Sequence, residues 1–198
     1  MSRIHQTPGL DGLTVGLEPA KRRWQTPRWF IALLEQELGR FVLDACADAS
    51  NAVAPAWIDR AEDCLLTEWG PGTGDGWIWV NCPYGVKAGA CPPYCQKDHV
   101  HHAYPFPGTG AFVDRAIQQA ASHRLRVAML LESATDTGWW RKAHAAACET
   151  RLLPRVACCN EQGEPMGAPG GGSTLFLLNG RRPVGAPAVP AWCWDVRP

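Results

Sequence analysis

Hydrophobic residues recur at two different spacings along this chain, and each spacing predicts a type of element. After Thr26 the apolar positions lie three or four residues apart, as on one face of a helix: Phe30, Leu33, Leu34 and Leu38. Thr26 is a favourable N-cap, Pro27 suits the first helical position, and Gly39 suits the end. The pattern therefore predicts a helix that begins at Pro27 and ends at Gly39.

Short apolar runs further along the chain predict buried strands. These runs cover residues 41–43, 77–80, 127–131, 156–159 and 174–178. Helical spacing predicts one helix through residues 112–121 and another through 139–148, the second with Asp136 or Thr137 as its N-cap; residues 48–62 are helical or mixed in pattern. Strands that alternate with helices predict an α/β sandwich with a mostly parallel central sheet.

The segments outside this pattern have distinctive compositions. Residues 1–20 show no periodicity and predict a flexible arm, and residues 181–198 form a Pro-rich tail in which 192–196 can pack back. Residues 86–110 are rich in Cys, His, Pro and Gly, and so long a loop inside a domain is usually functional or organised by a metal. We therefore expect one domain over residues 21–180, with 86–110 as an insertion.

Length and composition restrict the class of protein. The 198 residues suit about one domain, and 46% hydrophobic against 19% charged residues excludes general disorder. No apolar run approaches ~20 residues and no secretory signal is apparent, so we expect a cytoplasmic protein without a membrane span. Because 19 basic residues balance 19 acidic ones, contact with nucleic acid must come from local clusters such as residues 21–23.

The strand at Trp77 ends in groups that suit a flat, amino-bearing ring. Asn81 directly follows the apolar run and is followed by Cys-Pro-Tyr. The Asn81 side-chain oxygen can accept one hydrogen of an exocyclic amine, and the backbone carbonyl of Cys82 can accept the other. Pro83 makes the turn rigid and Tyr84 can stack on the ring. This set predicts a site for amino-group methylation.

Three short motifs occur in order along the chain. They are Trp24-Gln-Thr-Pro27 before the first helix, Val42-Leu-Asp-Ala-Cys-Ala47 after it, and Asn81-Cys-Pro-Tyr84. This order resembles the phage-encoded DNA N6-adenine methyltransferases, the Dam-like family. The resemblance covers roughly residues 22–180 without the insertion. It implies a Rossmann-like class I methyltransferase fold, S-adenosylmethionine as cofactor, and double-stranded DNA as partner in the host cytoplasm.

The resemblance also implies a role for each motif. An adenine flipped out of the duplex would be held by Asn81, Cys82, Pro83 and Tyr84. The cofactor-binding residues that it implies are Trp24, Thr26, Pro27, Asp44, Ala45, Cys46 and Asp63. Thr26 and its loop would contact the methionine end of the cofactor and Asp44 its amino group. Asp63 would lie near the cofactor adenine, or else would only cap a helix or turn.

Two departures from the family pattern keep other functions open. Cys82 stands where Pro is usual, and Ala47-Asp-Ala-Ser50 stands where a Gly-x-Gly is expected after the first strand. One rival function is methylation of the cytosine N4 amine or of a protein glutamine amide, since both present a planar NH₂. The other is a non-catalytic, metal-stabilised DNA-binding protein on a degenerate methyltransferase fold.

Thiols and imidazoles are concentrated in the insertion. Cys91, Cys95, His99 and His101 lie close together, and four such ligands suit tetrahedral zinc. We expect such a zinc ion to be structural; the alternative is an exposed polar loop whose histidines contact phosphate. The other cysteines, except Cys82, are expected to be buried and inert: Cys46, Cys64, Cys148, Cys158, Cys159 and Cys193.

Overall fold

A computed structural model of the protein describes residues 25–70, 73–83, 107–160, 162–164, 171–180 and 191–194. Within these ranges the chain forms three helices and seven strands. The helices are α1 (Arg28–Leu38), α2 (Thr109–His123) and α3 (Gly138–Ala146). The strands are β1 (Phe41–Asp44), β2 (Ala56–Trp57), β3 (Trp77–Val80), β4 (Arg126–Glu132), β5 (Glu149–Leu153), β6 (Ser173–Leu178) and β7 (Ala191–Cys193).

The seven strands form one sheet in the order β2-β1-β3-β4-β6-β5-β7. The first four strands in this order are parallel, and β7 is parallel to β5. β6 is antiparallel to both of its neighbours, β4 and β5. The prediction of a mostly parallel sheet is therefore wrong, and the sheet is mixed. No helix lies between β5 and β6 among the described residues, so β6 returns beside β5 in the opposite direction.

Helices cover both faces of the sheet, because alternate residues of each strand point to opposite sides. In β3, Ile78 and Val80 pack into the cluster that includes α2 and α3. Trp77 and Trp79 pack on the other side with α1, where the Trp79 ring lies 6.4 Å from that of Phe30. Burying each such side chain stabilises the fold by roughly 1.5–3 kcal/mol relative to exposure. The predicted α/β sandwich is confirmed at this level.

The start of α1 differs from the prediction. The helix begins at Arg28, with Pro27 as N-cap and no side-chain cap. Thr26 is not the N-cap, because its hydroxyl instead accepts a hydrogen bond from Asn81. At α3 the N-cap is Thr137, whose side chain accepts from the Trp140 amide, so the second of the two alternatives is confirmed.

Two further sequence predictions need correction. Residues 156–159 do not form a strand; the strand is β5, and Cys159 makes only an isolated bridge to Gln25. Pro154, which lacks an N–H donor, follows β5 directly. Residues 48–62 contain turns and the short β2 but no helix.

The predicted arm, insertion and tail fall mostly outside the described ranges. Residues 1–20 lie outside them, as do residues 86–106 of the predicted insertion. The last residues of that predicted loop, from Thr109, already belong to α2. Within the predicted tail, β7 adds an edge strand beside β5. In the described part of the chain, no helix has the length and apolar character that crossing a bilayer requires.

Candidate functional site

Two adjacent parallel strands bring polar side chains to the same edge of the sheet. β1 ends at Asp44, which pairs in register with Trp79 of β3. Two residues after Trp79 comes Asn81, just beyond the end of β3. The carboxyl ends of parallel strands are where open α/β sheets bind ligands. The fold therefore places the two polar residues that the sequence singled out side by side.

A cleft of about 250 Å³ opens at this edge. Four of its lining residues are predicted site residues: Thr26, Asp44, Cys46 and Asn81. The sequence prediction missed the other five, namely Gln25, Ala47, Asn51, Val53 and Trp79. Gln25 lies within the first of the three motifs and could have been included on that ground. Val53 gave no signal, because it is an ordinary apolar residue nine positions after Asp44.

Asp44 is a buried carboxylate held by backbone amides. Its side chain is 4% exposed. One carboxylate oxygen accepts from the Cys46 amide at 3.3 Å and the other from the Val53 amide at 3.1 Å. Burial raises the pKa of Asp44 to about 6, although these two amides and nearby Arg28 lower it. At neutral pH the group is therefore a carboxylate facing the cleft, and it favours a cationic or hydrogen-donating ligand.

The Asn81 amide is held by the loop before α1. Its Nδ2 donates a hydrogen bond of 3.0 Å to Oγ1 of Thr26. Thr26 is itself buried, with 6% exposure. Because the nitrogen end of the amide points to Thr26, the oxygen end points elsewhere. An amide oxygen in this position is suited to accept a hydrogen from an amine.

The Cys46 thiol lines the cleft, and Cys64 and Cys82 belong to the buried cluster against which Cys46 packs. Cys46 and Cys64 place their sulfurs 3.6 Å apart, and Cys82 is 1% exposed. The hydrogen bond between Cys46 and Cys64, together with burial, raises the pKa of Cys46, and burial raises the pKa of Cys82. The Cys46 and Cys82 thiols are therefore protonated at neutral pH and are poor nucleophiles. The part of Cys82 suited to contact a substrate is its backbone carbonyl, not its sulfur.

The remaining predicted site residues lie in different places. Ala45 is fully buried, and Pro27 is buried at the start of α1. Pro83 is exposed. Asp63 adopts a positive φ of 53° and its carboxylate accepts from the Leu65 amide at 3.0 Å, as in a turn cap. It is not among the residues that line the cleft, and its proximity to a cofactor adenine stays a prediction.

Several predicted residues lie outside the described ranges. They are Trp24, Tyr84, Cys91, Cys95, His99 and His101. In the ranges that are described, no group of three or more His, Cys, Asp or Glu side chains is arranged to hold a metal ion. The predicted zinc site therefore has no support among the described residues.

Comparison with known proteins identifies the family. The family model for DNA N-6-adenine-methyltransferase (Dam) matches residues 14–185. The DNA N-6-adenine-methyltransferase of Escherichia phage T1 is 31% identical over 126 residues, which is 64% of this chain and 42% of that protein. The protein of the same description from Haemophilus phage HP1 (strain HP1c1) is 30% identical over 121 residues, which is 61% of this chain and 55% of that protein. The matches thus span about half the length of these relatives. The chain belongs to the DNA N-6-adenine-methyltransferase (Dam) family.

Proposed function

We propose that this protein transfers the methyl group of S-adenosylmethionine to the exocyclic N6 amine of adenine in double-stranded DNA. The observation that carries this proposal is the pairing of Asp44 and Asn81 across one cleft, in a chain of this family. The Asp44 carboxylate suits a cofactor with a positive amino group, and the Asn81 amide suits a flat, neutral amine. We further propose that the sheet is of the Rossmann-like class I methyltransferase type. Its four parallel strands β2-β1-β3-β4, with the cleft at their carboxyl ends, support this assignment.

The surroundings of Asp44 fit the proposed cofactor. The carboxylate is buried, and among the described residues no cation forms an ion pair with it. A buried charge without a partner is costly, so a bound cationic group would stabilise it. The amino group of the methionine end of S-adenosylmethionine supplies such a charge.

Asn81 would orient the adenine amine. Its side-chain oxygen accepts one amine hydrogen, and the carbonyl of Cys82 accepts the second. These two bonds place the nitrogen lone pair out of the ring plane and toward the cofactor. Tyr84 would stack on the ring, which must first leave the duplex for its amine to be reached.

The reaction needs alignment more than acid–base groups. S-adenosylmethionine, when bound, provides a methyl carbon on a positively charged sulfur. The C–S bond of the cofactor would break, with its electrons returning to sulfur, as the N6 lone pair of an adenine held by Asn81 formed the new N–C bond. The methylated nitrogen then loses a proton to water, because the neutral Asn81 amide is too weak a base to take it. The chain contributes fixed hydrogen-bond acceptors that need no reorganisation during the transfer.

Product analysis tests the proposal. DNA is incubated with the purified protein and methyl-labelled S-adenosylmethionine, digested to nucleosides and separated by mass. We expect the label in N6-methyldeoxyadenosine, and none when Asn81→Ala replaces the wild type. Label in N4-methyldeoxycytidine, or only in protein, would replace the proposal by one of the rival amino-methyltransferases. Absence of any transfer together with absence of cofactor binding would favour a DNA-binding protein without catalysis.

A further inference from the structure

We propose that Thr26 is a positioning residue that aims the Asn81 amide at the adenine. This inference rests on the proposed function and assigns Thr26 to the opposite side of the reaction from the one that family resemblance implies. By resemblance, Thr26 would contact the methionine end of the cofactor. In the structure its Oγ1 lies 3.0 Å from Asn81 Nδ2, and the two residues are 55 positions apart in sequence. The contact therefore exists only because the fold brings the two segments together.

The backbone on each side of Thr26 is fixed. The preceding residue, Gln25, exchanges two backbone hydrogen bonds of 2.9 Å with Cys159. The following residue, Pro27, is the N-cap of α1, and its carbonyl accepts from the amides of the first turn. Thr26 itself is only 6% exposed. A hydroxyl held between a bridge and a helix start has little freedom to move, so it provides a fixed point of attachment for Asn81.

The consequence concerns the orientation of the Asn81 side chain. The χ2 torsion of asparagine is broad, so an amide without a fixed partner samples many orientations. In the observed arrangement the Thr26 hydroxyl accepts from the nitrogen end, and the proposed function uses the oxygen end as the acceptor for the adenine amine. A rotated amide would instead present N–H donors to the N–H donors of adenine. Thr26 thus acts on methyl transfer through Asn81 and not through the cofactor.

Matched substitutions separate the two roles. Thr26→Val removes the hydroxyl at nearly constant shape, and Thr26→Ser retains it. With Thr26→Val we expect kcat for methyl transfer to fall roughly tenfold, the size of one lost hydrogen bond, while the dissociation constant for S-adenosylmethionine stays unchanged. Thr26→Ser should restore kcat to near the wild-type value. Unchanged kcat in Thr26→Val, or a tenfold weaker cofactor with kcat preserved, would overturn the proposal.

A measurement that does not depend on activity tests the same contact. In a ¹⁵N-correlated NMR spectrum of the free protein, the Asn81 side-chain NH₂ signals are identified by their loss in Asn81→Ala. We expect Thr26→Val to shift one of these two proton signals upfield, as loss of a hydrogen bond requires, and Thr26→Ser to leave it in place. The remaining signals report whether each variant is folded. Identical Asn81 signals in wild type and Thr26→Val would overturn the proposal. If the signals shift as expected but the wild type transfers no methyl group, only the proposed function is contradicted.

Discussion

Two buried charged side chains, one on β5 and one on β1, differ in the groups that bind them. On the β5 side, the Arg151 side chain is 2% exposed and its guanidinium binds Glu149 at 2.8 Å and Glu37 through two nitrogens. Trp192 and Trp194 lie over it, with ring centres 5.1 and 4.6 Å from Cζ. On the β1 side, Asp44 is similarly buried but is bound only by backbone amides among the described residues.

The difference appears in how each environment changes the pKa. Burial lowers the pKa of Arg151, but the hydrogen bonds that Arg151 donates to Glu37 and Glu149 outweigh burial and raise it overall. For Asp44 burial prevails and raises the pKa to about 6. Arg151 is thus a charge neutralised within the fold, typical of a structural role. Asp44 forms no ion pair with any of the described residues, which is typical of a ligand site.

Removal of Arg151 should have the largest effect on stability. Arg151→Met leaves Glu37 and Glu149 without their shared partner and removes a cation from two indole faces. We expect the free energy of unfolding to fall by about 3 kcal/mol in urea titrations. Arg40→Met, at an exposed position between α1 and β1, is the control and should change it by less than ~0.5 kcal/mol. A loss below about 1 kcal/mol at Arg151 would contradict the structural role.

Removal of the Asp44 charge should act on the cofactor. Asp44→Asn deletes the charge and one of the two acceptor oxygens. We expect calorimetry to show S-adenosylmethionine binding weakened about 30-fold, or about 2 kcal/mol. Asp114→Asn is the control, since that carboxylate is exposed on α2 beside Lys142. Equal affinities for Asp44→Asn and Asp114→Asn would contradict the assignment.

The raised pKa of Asp44 predicts a pH dependence with a definite sign. Because the pKa is about 6 and not near 4, the carboxyl group gains its proton between pH 7 and pH 5. If only the carboxylate binds the cationic amino group, affinity for S-adenosylmethionine should fall about tenfold between pH 7 and pH 5. The dependence should be absent in Asp44→Asn. Affinity that rises toward pH 5 in the wild type would have the wrong sign for this account.

Replacement of Cys82 by the residue usual in the family should have the smallest effect. The Cys82 thiol is buried away from solvent, and Cys82→Pro keeps the backbone carbonyl while fixing φ. We expect kcat to stay within about threefold of the wild type or to increase. A loss of more than about tenfold in a folded Cys82→Pro variant would mean that the thiol or the Cys82 amide is needed.

The helices and strands with regular apolar patterns are predicted well from the sequence, whereas the strand that contains the buried, ion-paired Arg151 is not. β1, β3, β4 and β6 follow from apolar runs, and α1, α2 and α3 from helical spacing. β5 is missed, because it contains Thr150 and Arg151 in a strand that the structure buries. Arg151 can be buried only because Glu37 and the two tryptophans surround it, and such distant partners leave no periodic pattern. The antiparallel direction of β6 is likewise determined by its pairing with β4 and β5, which the pattern of apolar residues does not indicate.

The same reasoning explains what was predictable in the site. Asp44 and Asn81 each follow an apolar run, and parallel strand ends meet at one edge, so their proximity could be expected. The contact between Thr26 and Asn81 could not, because a threonine before a helix looks like an ordinary cap. The Cys46 and Val53 amides that bind Asp44 belong to a loop whose sequence shows no periodicity of apolar residues.

The central claim is that Asp44 serves the cofactor and Asn81 serves the adenine. The most direct test measures cofactor dissociation constant and kcat on DNA for Asn81→Ala. The account predicts a dissociation constant within about threefold of the wild type and a loss of kcat of at least ~1,000-fold, as for removal of a group essential in the transition state. Full methyl transfer by folded Asn81→Ala would contradict the account.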